Sequence, residues 1–278
     1  MQKRKQKSKK FLSLLLTLAM VFSLCSVPAY ADASDFAGGS GTADDPYLIA
    51  TEAQFTKATE LGKYYLLIND ITATHTYIDE KPQPFCESFS GYFDGGGHTI
   101  YNLKAPLFKT IPKNGIKPEI KNLNIVYQGG SDERGTVFSS GQGSGDQITL
   151  SNIHVTITGN ANCSGLAGDA DTRTLKITNC SVVVENGASI SDNAVTAVAG
   201  GLTRHIKDFT NISDSFVYIK EGGRIVATNT KGDTSVGYAC AGGISGALSG
   251  KVYAREASVT NCYVINEGTI SARVKEDG

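Results

Sequence analysis

Short apolar segments that alternate with polar residues, separated by glycine-rich turns, run through most of the chain. One four-residue pattern recurs in them: an apolar residue, any residue, Asn or Asp, and then a small or apolar residue. Its third position is occupied in turn by Asn102, Asn122, Asn152, Asn179, Asp214 and Asn261. The steps between these anchors are 20, 30, 27, 35 and 47 residues, whereas the spacing inside each copy is constant. This combination indicates a repeat of fixed cross-section with insertions of different length at one place.

The repeats predict strands and not helices, because the segments are short, β-branched and punctuated by glycine. From the second anchor onward a β-branched residue stands three positions later, at Ile125, Val155, Val182, Val217 and Val264. A second column precedes the anchors, at Phe89, Phe108, Phe138, Leu166, Leu202 and Ile244. A third strand is expected in later coils, at Ala188–Ile190, Arg224–Val226 and Thr269–Ser271. The sequence therefore predicts an all-β fold, a right-handed parallel β-helix.

The Asn anchors are predicted to be structural and not catalytic. Asn tolerates a left-handed backbone at a sharp bend, and its amide can donate and accept between coils stacked about 4.8 Å apart. We therefore expect all six anchors to form one ladder. Alternation along the following strand places Cys180, Ser215 and Cys262 inward, beside the β-branched file.

The amino-terminal end of the solenoid carries the signature of a short capping helix. Thr51 with Gln54 three residues later predicts a capping box, and Phe55, Ala58 and Leu61 share one helical face. Such a helix would cover the bottom coil, as terminal repeats must.

The solenoid itself is expected to begin with a first strand at Tyr65–Ile71. At the other end, Glu267–Gly278 offers no cap. We expect either that more chain follows or that a partner covers the top.

The first 31 residues are predicted to be a signal peptide. Six Lys and Arg residues form a basic n-region, Phe11–Leu24 is apolar, and Ala29–Ala31 is a small-x-small cleavage site. A transmembrane anchor is the alternative, but this stretch is shorter than the roughly 20 apolar residues a span requires. The predicted organisation is a signal peptide at 1–31, a lead-in at 32–50 and a parallel β-helix at 51–278. The short basic n-region is similar to those of Gram-positive bacteria.

Charge excludes one class of partner. The leader contains six of the 26 Lys and Arg and none of the 27 Asp and Glu, so the remaining 247 residues carry a formal net charge of −7. This balance gives no counterion-release attraction to nucleic acid. We expect a secreted or cell-wall-associated protein with no membrane span after signal cleavage and no nucleic-acid partner.

Five cysteines follow the leader: Cys86, Cys163, Cys180, Cys240 and Cys262. An odd number cannot pair completely within one chain, and no zinc-type spacing occurs. We expect them mainly as small buried apolar residues, and the sequence leaves their disulfide state open.

The amino-terminal part of the repeat region resembles a known family. The matching segments are Gly39–Ile49, Asn69–Ile71, Phe89–Ile100 and Asn102–Leu103. Together they are similar to the opening of bacterial surface β-helix proteins that carry GLUG motifs, a module also present in the non-catalytic part of IgA-specific metallopeptidases. The resemblance runs from about residue 39 to residue 273.

The GLUG motif itself occurs once in full, at Gly165–Gly168, and nearly so at Gly243–Gly246. At Gly201–Arg204 the last glycine is missing. The resemblance implies a β-helix and an exported location, with no defined ligand. No His-Glu-x-x-His motif occurs, so the peptidase activity of the larger relatives does not carry over.

Two places could carry chemistry. Asp94 and His98 flank three glycines, for which a structural corner is the favoured interpretation. Charged residues also follow the Leu166 and Leu202 strands, at Asp169, Asp171, Arg173, Arg204, His205, Lys207 and Asp208. Carboxylates beside Arg and Lys are what pectate-lyase-like β-helices use to bind calcium and a uronate and to abstract a proton. A polysaccharide lyase or glycoside hydrolase is therefore the alternative function; the favoured one requires no cofactor and no metal.

The favoured function depends on an outward-facing apolar patch. If Ser215 and Val217 point inward, four side chains on adjacent coils point outward: Phe216, Tyr218, Tyr263 and Ile265. Exposed apolar patches mark contact sites. The competing interpretation is that the insertion at Thr228–Tyr238 folds over them. We expect a non-enzymatic adhesin or scaffold whose partner is a host glycan, the extracellular matrix or a cell-wall component.

Overall fold

A computed structural model describes residues 35–141, 147–170, 174–206, 209–230, 238–248 and 257–274. Within these ranges the chain forms 26 β-strands and one short helix, α1, at Glu52–Phe55. The predicted all-β class is confirmed. The predicted signal peptide lies outside the described residues.

The strands of the amino-terminal half are short, apart from two that run through a corner. They are β1 Tyr47–Ile49, β2 Tyr64–Leu67, β3 Ile71–Thr72, β4 Tyr77–Ile78, β5 Lys81–Pro82, β6 Cys86–Ser88, β7 Tyr92–Asp94, β8 Thr99–Leu103, β9 Phe108–Ile111, β10 Glu119–Arg134, β11 Phe138–Gly141, β12 Gln147–Asn162 and β13 Ala167–Ala170.

The strands of the carboxy-terminal half have three to six residues. They are β14 Thr174–Thr178, β15 Ser181–Val184, β16 Ser189–Ala194, β17 Ala197–Gly200, β18 Thr203–Ile206, β19 Thr210–Ser213, β20 Phe216–Ile219, β21 Arg224–Asn229, β22 Ala239–Gly242, β23 Ser245–Leu248, β24 Ser258–Thr260, β25 Tyr263–Asn266 and β26 Thr269–Val274.

Successive coils stack by parallel pairing on every face. One face runs β1-β2-β7-β10-β12-β14-β19-β24, and another runs β6-β9-β11-β13-β18-β23. The files β15-β20-β25 and β16-β21-β26 stack on the long strand β12. Among the described strands the pair β4–β5 alone is antiparallel. The three expected third strands fall in β16, β21 and β26, with Ile190, Ile225 and Ile270 in one file. This is a parallel β-helix.

The Asn ladder forms at the corner between the first face and the face that contains β15, β20 and β25. Asn122, Asn152, Asn179 and Asn261 have left-handed backbones, with φ between 51° and 55°. Asn152 Nδ2 donates to Asn122 Oδ1 at 3.0 Å, and Asn179 Nδ2 donates to Asn152 Oδ1 at 3.1 Å. A second stretch begins at Asp214, whose carboxylate accepts from Asn261 Nδ2 at 2.6 Å.

The prediction of the ladder is wrong for one residue, Asn102. Asn102 also has a positive φ, but its Nδ2 donates to the Ala73 carbonyl, and its strand β8 pairs with the part of β10 that follows the corner. The rung below Asn122 is Asp94, whose Oδ1 accepts from Asn122 Nδ2 at 3.0 Å. The 20-residue step from Asn102 is therefore less than one coil.

The interior is a set of apolar files. Ile125, Val155, Val182, Val217 and Val264 are in register, as predicted, and all but the last are buried. The predicted Phe/Leu column, however, combines three registers, and Phe89 lies three residues after Cys86, which is the register partner of Phe108. Phe108 and Phe138 align with Ala167 and Thr203, whereas Leu166 and Leu202 stand one residue earlier. At this corner two consecutive residues are both buried, as Leu166 and Ala167 are. Alternation of buried and exposed residues in the sequence therefore does not show which of the two belongs to the column.

The capping helix is shorter than predicted. Thr51 Oγ1 accepts the Gln54 N–H at 3.3 Å, and Gln54 Oε1 accepts from Ala50 N at 2.8 Å. Phe55 is buried and packs on the rings of Phe93 and Phe108. Leu61, expected on the same face, is 60% exposed because the helix ends at Phe55.

The sheet also starts earlier than expected. Strand β1 pairs in parallel with β2, so the first strand is Tyr47–Ile49, inside the segment 32–50 described as a lead-in. The segment expected as the first strand is divided into β2 and β3.

His75 ties the loop after β3 to the rest of the lower coils. Its Nε2 accepts the Lys104 N–H at 2.8 Å, and its Nδ1 lies 3.1 Å from the Gln83 carbonyl oxygen. The ring must therefore be neutral with its proton on Nδ1, and burial lowers the pKa of His75.

Candidate functional site

The four residues predicted as a contact patch lie on strands β20 and β25. Phe216 pairs with Tyr263, and Tyr218 pairs with Ile265. The four side chains therefore form two cross-strand pairs that point outward, and we call these four residues the outer patch. The rings of Phe216 and Tyr263 stack with centroids 5.2 Å apart and planes within 4°. Tyr263 is 54% exposed and Ile265 is 44% exposed, whereas Phe216 and Tyr218 are half-buried.

The insertion expected to compete for this patch leaves β21 at Asn229 and returns at β22. Its central residues 231–237 lie outside the described residues. Tyr238, at its far end, is exposed, as are Tyr263 and Ile265. The Tyr218 hydroxyl donates to Glu267 Oε2 at 2.7 Å, which holds that ring against the sheet.

The predicted charged residues meet at a corner of the solenoid in an ion cluster. Asp169 Oδ2 accepts from Arg134 Nη1 at 2.7 Å and from Arg204 Nη1 at 2.9 Å, while His205 Nδ1 lies 3.1 Å from Asp169 Oδ1. Asp192 completes the cluster, and its Oδ2 is 3.4 Å from Arg204 Nη2. The two carboxylate side chains are only 9% and 8% exposed.

The ion cluster is internally compensated. Burial by itself would lower the pKa of Arg204, but the charges of Asp169 and Asp192 outweigh burial and raise it. Asp192 Oδ2 also accepts the Val198 N–H at 2.8 Å. The Asp169 oxygens contact protein donors from other coils, so the cluster ties neighbouring coils together.

Calcium fits this cluster poorly. Both oxygens of Asp169 face cationic or imidazole donors, whereas a calcium ion needs six to eight oxygen ligands. No group of three or more His, Cys, Asp or Glu side chains in the described part of the chain is placed to hold a metal.

Sequence reasoning found only part of this cluster. Arg134 ends β10 and Asp192 lies in β16, each from a different coil than Asp169, and no local motif marks either residue. The predicted members Asp171, Arg173, Lys207 and Asp208 lie outside the described residues.

Asp94 and His98 do not form a pair. Asp94 Oδ1 accepts from Gly96 N at 2.9 Å in addition to the Asn122 amide, which makes it the base of the Asn ladder. His98 Nδ1 instead lies 3.1 Å from Asp70 Oδ1. The Thr99 N–H and then His98 lower the pKa of Asp70. The segment is a structural corner.

The five cysteines in the described part of the chain are unpaired and fall into two groups. Cys86, Cys163 and Cys180 are buried, and burial raises the pKa of each thiol to about 12, which keeps each thiol protonated at neutral pH. Cys240 and Cys262 are half-buried.

No protein-family model matches the chain. It is 30% identical over 156 residues to Halomucin of Haloquadratum walsbyi, a match that covers 47% of this chain and 2% of that protein. It is 28% identical over 124 residues to a candidate Gly-rich membrane protein of Evansella cellulosilytica, covering 38% of this chain and 14% of that protein. The chain thus spans a small fraction of the length of these curated relatives.

Among solved structures, the chain is similar to a crystal structure described as that of a candidate immunoglobulin A1 protease from Bacteroides ovatus. The TM-score is 0.49 and the identity 17%, with 87% of each chain covered. Across the described residues, no helix has the length and apolar character needed to cross a membrane.

Proposed function

We propose that this protein is an exported, non-enzymatic surface module, a parallel β-helix that acts as an adhesin or scaffold. The observation that carries the proposal is the outer patch, in which a stacked aromatic pair and an exposed Ile265 stand on a regular parallel sheet. Apolar side chains held on adjacent rungs lose little conformational freedom when they bind, which favours a contact surface.

The partner is a host glycan, an extracellular-matrix component or a cell-wall component, and not a nucleic acid. Membership of the GLUG-motif surface proteins, secretion through the leader at 1–31 and a Gram-positive cell wall belong to the same proposal. The name of the Gly-rich membrane relative supports a location at the cell surface.

The test measures binding of the exported chain to immobilised collagen, fibronectin and purified peptidoglycan by biolayer interferometry. Phe216→Ser and Tyr263→Ser should each weaken binding by at least about tenfold to whichever of these materials the unsubstituted chain binds. Tyr101→Ser is the matched control, because Tyr101 is an exposed aromatic residue on another strand. Unchanged binding in both patch variants would remove the outer patch from the proposal.

The alternative function, a polysaccharide lyase or hydrolase, has one observation in its favour. Two buried carboxylates, Arg204 and His205 converge in the ion cluster. The assay is release of reducing ends or unsaturated uronates from polygalacturonate and peptidoglycan. We expect none; turnover that disappears in Asp169→Asn while the fold persists would replace the non-enzymatic proposal.

A further inference from the structure

A second surface feature lies on the first coils and shares no residue with the outer patch. It is a depression of about 240 Å³, which we call the tyrosine pocket, lined chiefly by Pro46, Tyr64, Tyr92, Asp94, Glu119 and Lys121. The lining residues come from β2, β7 and β10, three neighbouring strands of the first face, and from the chain just before β1.

Register explains why these side chains converge. Tyr92 lies between Tyr64 and Glu119, and Asp94 lies between Leu66 and Lys121, in two outward files two residues apart. The rings of Tyr64 and Tyr92 stack with centroids 4.3 Å apart and planes within 13°. The stacked rings make one rigid apolar wall beside a row of charged groups.

The charged groups are of both signs. Lys121 Nζ lies 3.5 Å from Glu119 Oε1, with both side chains partly exposed. Asp94 Oδ1 is held by the Gly96 N–H and the Asn122 amide. Burial, and then the neighbouring Tyr64 and Glu119, raise the pKa of Tyr92, so its hydroxyl stays protonated and can both donate and accept.

We propose that the tyrosine pocket binds one ring of a neutral saccharide. An anionic ligand would be repelled by Asp94 and Glu119. A cationic ligand would find Glu119 already paired with Lys121 and Asp94 Oδ1 already held by two donors. A purely apolar ligand would take all three charges out of water without new hydrogen bonds, which is costly. A sugar ring has an apolar C–H face for the tyrosine wall and hydroxyls that donate to the carboxylates and accept from the ammonium group.

The size of the pocket limits it to one ring, because pockets for drug-sized ligands start at roughly 300 Å³. The face continues upward, however, with a hydroxyl on each following rung. Ser151 stands over Lys121, Thr178 over Ser151 and Ser213 over Thr178, at the spacing of about 4.8 Å between parallel strands. A saccharide chain anchored in the pocket would run along this file, so affinity should rise with chain length.

The experiment titrates the exported full chain with glucose, cellohexaose and chitohexaose by isothermal calorimetry. Hexa-galacturonate and a hexamer of glucosamine serve as anionic and cationic comparisons. We expect one neutral hexasaccharide to bind at least about tenfold more tightly than glucose and than either charged hexamer. Tyr92→Ala and Lys121→Met should each weaken it by about tenfold or more.

The two substitutions separate a binding defect from a folding defect, because Lys121 is partly exposed and its replacement leaves the core intact. Tyr263→Ser, in the outer patch, should bind the saccharide as the unsubstituted chain does. The proposal is overturned by absence of neutral-saccharide binding at millimolar concentration, by tighter binding of a charged hexamer, or by pocket variants that both bind as tightly as the unsubstituted chain. Because Tyr263→Ser is the variant that tests the outer patch, either proposal can fail without the other.

Discussion

Replacing Asn152 tests whether the Asn ladder stabilises the solenoid. Its side chain makes two ladder hydrogen bonds, donating to Asn122 at 3.0 Å and accepting from Asn179 at 3.1 Å, and its backbone has φ of 53°. Asn152→Ala removes both bonds at about 1 kcal/mol each. It also places alanine, which lacks the short polar side chain by which Asn tolerates this conformation, in the left-handed region, at a cost of about 1 kcal/mol more. We therefore expect a loss of about 3 kcal/mol in the free energy of unfolding.

Asn152→Gly separates these two contributions. Glycine adopts the left-handed conformation freely, so this variant should lose about 2 kcal/mol, from the hydrogen bonds alone. Asn193→Ala is the matched control, because Asn193 is exposed and has an ordinary strand backbone. It should change stability by less than about 0.5 kcal/mol.

The assay is urea denaturation of the purified protein at 25 °C, followed by circular dichroism and extrapolated linearly to water. An Asn152→Ala loss no larger than that of Asn193→Ala would refute a stabilising ladder. Equal losses in the alanine and glycine variants would show that the left-handed corner imposes no requirement on the residue.

Three further predictions concern other parts of the molecule. Burial lowers the pKa of His75 below the usual value of about 6.5 for histidine. Its contribution to stability is therefore complete above about pH 6.5 and declines as the pH falls below that value, so the loss of unfolding free energy between pH 7.5 and 5.5 should shrink in His75→Gln. Asp169→Asn should cost about 3 kcal/mol of unfolding free energy in the same urea assay, because it leaves Arg204 buried without its main partner. Asp132→Asn, which removes a charge from an exposed ion pair, should cost less than about 1 kcal/mol. Equal losses would contradict a buried ion cluster. Maleimide should label the half-buried thiols of Cys240 and Cys262 well before the buried thiols, as followed by mass spectrometry. The buried thiols are those of Cys86, Cys163 and Cys180. A uniform labelling rate would contradict this packing.

The repeat pattern alone was sufficient to predict the architecture. Asn at a left-handed corner and a β-branched residue three positions later are local requirements of each coil, so they are visible without knowing which coils touch. The same local logic located the outer patch, because strand alternation places Phe216 and Tyr263 on the side opposite Val217 and Val264.

Contacts between coils were decided by the tertiary structure. The residue below Asn122 is Asp94 and not Asn102, because a coil of 28 residues closes there and a step of 20 does not. The partners Arg134 and Asp192 of the ion cluster, and the tyrosine pair on the first face, come together only through inter-strand register. Register depends on the lengths of the loops between coils, and a sequence whose steps range from 20 to 47 residues does not reveal which side chains stack.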